Sequence, residues 1–206
     1  MSEISNFIDK NHSYIDYSER PSRKLYWKLF EDRKMIGVFG LGSAFSQPKD
    51  VKEFMEKYDI EFNNLANNIV YCLSGHEDYN AGSKLLAKCR RDAIVWWYER
   101  YEDKLKAFQC FVKPPRNGAV YKADNWELVG KTKGESQVTK HIRPDQLDEY
   151  EEEEIIAKEF SDGRVMHRVL DYKKTEKKLI FMKKVKEKEL RKGIKKAKRE
   201  AQLSLF

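Results

Sequence analysis

The run from Asn117 to Gly134, N-G-A-V-Y-K-A-D-N-W-E-L-V-G-K-T-K-G, constrains the fold more than any other part of the chain. Gly118 to Asp124 is long enough for about two helical turns. Trp126 follows, then the strand-like Glu127-Leu128-Val129, and the run closes on Gly130 and Gly134. A strand-forming stretch, Leu105 to Val112, precedes it and is broken by Pro114-Pro115. The order is strand, proline-marked loop, short helix carrying a tyrosine, strand.

A second informative segment lies upstream. Ile69 to Leu73 reads as a short apolar strand that ends at Ser74-Gly75-His76, and Glu77 to Lys84 then leads into a long helix, Ala81 to Arg100. Leu85, Leu86, Cys89, Ala93, Val95, Trp96 and Trp97 form its broad apolar stripe. A strand, a loop of small residues and a helix offer backbone N–H groups and a positive helix end to a phosphate. Asn80 and Ser83 also suit plain helix capping. A cap and an anion site use the same amides, so the two readings coexist.

The remaining elements follow from pattern. Met1 to Ser22 is a polar lead-in, with Tyr14, Ile15 and Tyr17 as anchors. Lys24 to Glu31 and Lys34 to Leu41, separated by Asp32-Arg33, predict a β-hairpin. Gly37, Gly40 and Gly42 in its second strand point to a bulge or to the close approach of a ligand. Val51 to Tyr58 has helical spacing, with Val51, Phe54, Met55 and Tyr58 on one face, and Asn63 to Asn68 reads as an asparagine-rich loop. Beyond Gly134 the chain turns polar and then acidic, Asp145 to Glu154, which predicts an inserted or mobile loop. Gly163 to Leu170 fits a helix or a strand, Lys178 to Lys183 a final strand, and Val185 to Leu203 a helix with a thin apolar stripe. The expected division is a lead-in over 1–23, a main domain over 24–183 with an insertion at 135–165, and a basic helix over 184–206.

Composition narrows the function classes. The 206 residues are 40% apolar, enough for a core, and 36% charged. No run approaches the roughly 18 apolar residues of a membrane helix, and the N-terminus lacks a signal-peptide pattern, so a soluble cytoplasmic protein is expected. Cys72, Cys89 and Cys110 are odd in number and form no C-x-x-C pair. Cys72 and His76 fall where a strand enters a loop, about 13 Å apart, which disfavours a metal site. From Lys173 onward fourteen Lys or Arg stand against four Glu, a surplus of ten, leaving the other 172 residues at −3 of the net +7. A charge so placed suits a polyanion at one end.

The run with Ala119, Tyr121, Asn125-Trp126 and Gly130 resembles the C-terminal half of the GNAT acyltransferase family, nearly matching A-x-x-[LV]-Y-x-x-x-[GN]-[FW]-x-x-x-G. The spelling Y-K-A-D-N-W-E-L-V-G-K-T-K-G, with N-A-G-S-K-L-L at Asn80 to Leu86, is more particularly similar to the divergent branch of phage Mom proteins, which modify adenine in DNA. The resemblance covers about Lys24 to Gly134 and the late strand. It implies a mixed α/β fold, a mostly antiparallel central sheet flanked by helices, here with a basic C-terminal helical extension. The family's R/Q-x-x-G-x-G/A pyrophosphate motif is absent, which puts ordinary coenzyme A use in doubt.

The resemblance also implies roles. Tyr121 matches the tyrosine that gives a proton or hydrogen bond to a departing thiolate. Asp124 and Asn125 would orient substrate or water, and His76, Glu77 or Asp78 would serve as base. Asn80, Ala81, Gly82, Ser83 and Lys84 would hold the donor, acetyl-CoA or another acyl or glycinamide donor. Lys113, Arg116, Lys122, Trp126, Lys131 and Lys133 would meet DNA, with Tyr26, Trp27 and Phe39 as further aromatic platforms. The implied activity is addition of a carbamoylmethyl group to the exocyclic amine of adenine in the DNA of a phage or mobile element, protecting it from restriction in the bacterial cytoplasm. Two alternatives stay open: a coenzyme A-dependent N-acetyltransferase for a small amine, a protein or a hypermodified base, and an inert GNAT-like module that binds nucleic acid or inhibits a host protein.

Overall fold

The computed structural model describes residues 3–12, 23–44, 48–75, 80–151 and 154–203. The elements run α1 (Glu3–Asn11), β1 (Lys24–Glu31), β2 (Lys34–Ser43), α2 (Lys49–Lys57), β3 (Leu65–Leu73), α3 (Ala81–Tyr101), β4 (Ala107–Val112), α4 (Ala119–Ala123), β5 (Glu127–Lys131), β6 (Glu135–Ile142), β7 (Ile155–Glu159), β8 (Val165–Lys174), β9 (Leu179–Lys184) and α5 (Glu187–Leu203). They form two compact units, Met1–Lys131 with Leu179–Phe206, and Thr132–Lys178.

The larger unit is a six-stranded sheet in the order β1-β2-β3-β4-β9-β5. Its pairs are antiparallel except β3 and β4. A parallel pair requires a crossover, and α3 supplies it. The result is the expected mixed α/β fold, a mostly antiparallel sheet flanked by helices. On one face α3 buries Leu86, Cys89, Ala93, Ile94 and Trp97 against Phe39, Leu41, Phe108 and Phe181. On the other, α2 sets Val51, Phe54 and Met55 against Leu65, Ala107, Ile180 and Met182. There too α1 seats Ile8 against Val38, Val70 and Cys72.

Four expectations need correction. Asn63 to Asn68 is not a loop, because β3 begins at Leu65 and both Asn67 and Asn68 are buried within it. The lead-in contains a helix, α1, whose Ile4, Phe7 and Ile8 meet the sheet; Tyr14, Ile15 and Tyr17 lie outside the described residues. The polar stretch after Gly134 is a second sheet, in the order β6-β8-β7, with Ile142 and Val169 buried. Its ends are tied by Thr132 N–H to Lys178 O, 2.9 Å, and Thr175 N–H to Gly134 O, 2.8 Å. The basic tail is no mere attachment either, since α5 buries Leu190 and Ala197, and a Cβ on its Gly193 would stand 2.6 Å from Ile94.

Gly37 and Gly40 of β2 make way for the neighbouring strands. A Cβ on Gly40 would lie 2.6 Å from Val70 and 2.7 Å from Tyr26. The β2–β3 register shifts between Gly40 and Leu41, leaving Ile69 as the extra residue of a bulge. A bulge bends the strand that carries it. β3 accordingly pairs with β4 only over Leu65–Ala107, Ala66–Phe108 and Asn67–Gln109, although both strands continue beyond.

Candidate functional site

Where β3 and β4 part, they leave a cleft of about 400 Å³. Val70 and Tyr71 both line it. Val70 belongs to the apolar cluster under α1, and Tyr71 packs with the cluster under α3. The cleft therefore runs through the thickness of the sheet. Its walls are mostly apolar: Leu73 and Tyr71 from β3, Phe111 and Val112 from β4, and Val120 from α4. Polar groups converge at a few points only, which is how small-molecule sites are usually built.

Tyr121 is one of those points. α4 starts at Gly118, whose φ of 72° is left-handed and whose added Cβ would lie 2.3 Å from the Phe181 ring. Glycine is therefore required there, and it turns the chain so that Tyr121 enters the cleft. The Tyr121 ring stacks on Phe181 at 5.7 Å and meets Trp126 edge-on at 5.1 Å. Its hydroxyl donates to Asn68 Oδ1 at 2.7 Å. Asn68 Nδ2 donates at 2.8 Å to both Gly40 O and Val70 O, the carbonyls beside the bulge. With both amide protons given away, Oδ1 is left as the acceptor, so Tyr121 must be the donor. The buried Cys110 thiol lies beside the same hydroxyl, and burial pushes that thiol up to about 12.

The N-terminus of α3 reaches the cleft at Gly82. The Tyr71 hydroxyl donates to Gly82 O, and Ser83 Oγ donates to Asn80 O at 3.2 Å. Asn80 takes a left-handed φ of 67°, and its side chain makes no cap bond. The first turn, Ala81–Lys84, holds no acid. The N-terminus of a 21-residue helix, with no cap bond from the Asn80 side chain, therefore lies at one end of the cleft.

Asp124 and Trp126 serve a different purpose from the one expected of them. Asp124 Oδ2 accepts from Arg90 Nε at 3.1 Å and from Trp126 Nε1 at 2.8 Å, all buried. Arg90 also reaches Glu189 on α5 at 3.4 Å, and Lys183 Nζ donates to Asp124 O at 2.5 Å. This network ties α3, α4 and α5 together. Trp126 is 5% exposed and packs against Phe108, so it offers no ring face to a nucleobase. Trp27 and Phe39 are core for the same reason, whereas Tyr26 is half-buried. Asn125 is exposed at a φ of 56°, and its carbonyl accepts from Lys183 at 3.1 Å. His76, Glu77 and Asp78 lie outside the described residues.

Among the expected DNA contacts, Arg116 lines the cleft, Lys113 is half-buried, and Lys122 and Lys131 are exposed. Lys133 belongs to the smaller unit. The basic C-terminal helix expected to meet a polyanion forms a groove with α3, lined by Lys104, Arg191, Lys195, Lys198 and Arg199 with Tyr98 and Ile194; the sequence showed the charge but not the part of α3 in it. Sequence reading missed Asn68 and the cleft residue His12. No group of three or more His, Cys, Asp or Glu among the described residues is placed to hold a metal. No helix among them is long and apolar enough to cross a membrane.

No family model matches the chain, and no curated protein matches it. Among solved structures, one similar chain is a Sphaerobacter thermophilus DSM 20745 protein whose acetyltransferase assignment is itself provisional. The two share 11% identity at a TM-score of 0.33, over 80% of this chain and 71% of the other. A likeness at that level carries no argument about activity.

Proposed function

We propose that the protein is a group transferase that holds an activated acyl-type donor in the β3–β4 cleft and modifies the exocyclic amine of adenine in DNA. The observation that carries this reading is the placement of Tyr121 on an apolar cleft that the N-terminus of α3 borders at Gly82. The donor's anionic carrier lies against the Asn80–Lys84 amides, and its acyl arm enters between Tyr71, Val112 and Val120. The acceptor nitrogen attacks the donor's activated carbon, and the bond from that carbon to the leaving group breaks. Tyr121 turns its proton from Asn68 to the leaving group, an exchange of one hydrogen bond for another at the moment charge develops.

DNA as acceptor is supported by the N-A-G-S-K-L-L and Y-K-A-D-N-W spellings and by the α3–α5 groove. Lys104, Lys195, Lys198 and Arg199 in that groove make no ion pair among the described residues. Such a surface binds phosphate backbone with a strong dependence on salt. Base chemistry further requires the adenine to leave the stack, and the 400 Å³ cleft is the concave site offered to it.

The test is nucleoside mass analysis of DNA from cells expressing the protein beside its Tyr121→Phe variant. The expected result is a new deoxyadenosine mass that the variant loses. An unmodified nucleoside profile, with acetylation of a small amine or protein instead, would replace adenine by the second acceptor class.

A further inference from the structure

We propose that His12 is the general base of this reaction, accepting the acceptor amine's proton from the face of the sheet opposite Tyr121. The inference rests on the transferase reading above and names a residue that it left unassigned. His12 follows α1, where its N–H bonds Ile8 O at 2.7 Å, and its half-buried imidazole lines the same cleft as Tyr121. α1 reaches the sheet through Ile8 against Val38, Val70 and Cys72, whereas Tyr121 packs in the cluster under α3. The cleft thus has an imidazole from one face and a phenol from the other. That division suits transfer between two molecules, because donor and acceptor need separate entrances to one reaction point.

The chemistry requires a base at that end. An exocyclic amine of adenine is neutral at physiological pH and becomes acidic only as its nitrogen bonds to the acyl carbon. A group that accepts a proton during attack is therefore worth more than one that deprotonates free substrate. With a thioester donor, the N–C bond forms, the amine proton passes to an imidazole nitrogen of His12, the C–S bond breaks, and the thiolate takes the Tyr121 proton. Imidazolium and phenolate then return to their neutral forms by exchange with water. Tyr71, Cys110, Arg116 and Tyr121 are the other titratable groups lining the cleft. Burial first, and the Arg116 charge second, hold His12 below its ordinary 6.5, so the imidazole stands ready as a neutral acceptor at pH 7.

The experiment compares wild type, His12→Gln, His12→Ala and, as a control, His167→Gln on β8 of the smaller unit. Deoxyadenosine modification of plasmid DNA is measured by mass, with the small-molecule fraction of the expressing cells as donor source, from pH 5.5 to 8.5. Thermal melts confirm that each variant folds. The inference predicts a rate about 100-fold or more lower in both His12 variants. It also predicts loss of the acidic limb of the pH profile, partial rescue of His12→Ala by added imidazole, and near wild-type rates in His167→Gln. Folded His12 variants as active as wild type, or an equal loss in His167→Gln, would overturn the assignment and leave the transferase reading standing. Absence of adenine modification in every form, wild type included, would overturn both.

Discussion

Replacing Arg90 by Met should destabilise the protein far more than replacing its partner Asp124 by Asn, and the reason lies in how the two charges are shared. Arg90 and Asp124 are 4% and 9% exposed and 3.1 Å apart. Arg90 has a second carboxylate, Glu189, at 3.4 Å. Asp124 has the Trp126 indole at 2.8 Å, while Lys183 sits on its backbone carbonyl rather than on the carboxylate. Arg90→Met strands a buried carboxylate with one neutral donor, a loss that costs about 3–5 kcal/mol. Asp124→Asn leaves Arg90 paired with Glu189 and keeps an acceptor for Trp126, so it costs about 1–2 kcal/mol, in the range of a charge-assisted hydrogen bond. The double variant removes both charges and should be more stable than Arg90→Met alone, by about 2 kcal/mol or more.

Urea unfolding followed by tryptophan fluorescence reads this directly, since Trp27, Trp96, Trp97 and Trp126 all belong to the larger unit. With a slope of about 2–3 kcal/mol per molar, the Arg90→Met midpoint should fall by about 1–2 M. Equal losses for the two single variants, or a double variant no better than Arg90→Met, would refute the description of this network as an asymmetrically shared ion pair.

Three further outcomes follow from the same geometry. Gly118→Ala forces a side chain into a left-handed φ of 72° and onto the Phe181 ring, so it should cost at least about 2 kcal/mol of stability by urea unfolding and abolish transfer. Tyr121→Phe leaves Asn68 Oδ1 buried without its donor, a stability cost of about 1–3 kcal/mol, together with a fall in modification rate of 100-fold or more. Burial raises the Cys89 and Cys110 thiols to about 12 from 9.0, so each favours folding fully below pH 9 and loses that contribution as pH rises toward 12. Unfolding measured from pH 7 to 10.5 should show stability declining above about 9, at up to about 1.4 kcal/mol per pH unit per thiol. A Cys89→Ala/Cys110→Ala variant should show a flatter profile.

Much of the larger unit was legible in the sequence because its signals are local. Alternation fixed the β1–β2 hairpin, a long apolar stripe fixed α3, and the Asn117–Gly134 run fixed the order of β4, α4 and β5. The Asn67-Asn68 doublet misled because asparagine is a loop residue by composition. Asn68 is tolerated in a strand only because the bulge carbonyls and Tyr121, all distant in sequence or hidden in register, use every polar atom of its side chain. The sheet of 132–178 was hidden by its polarity, since one thin apolar face with Ile142 and Val169 suffices for three short strands. Tyr121 stood out through a motif. Arg90 and His12 carried no local signal, as each acquires its meaning from residues more than thirty positions away.

The central claim is that the parting of β3 and β4 creates the donor site. Backbone amide shifts of the isotopically labelled protein, titrated with coenzyme A as an anionic carrier probe at 150 mM salt, test it most directly. The account predicts perturbations along Ile69–Leu73, at Asn80–Lys84 and across Gly118–Tyr121, reduced by Gly118→Ala. Shifts confined to the α3–α5 groove around Lys104 and Lys195–Arg199, with the cleft silent, would contradict it.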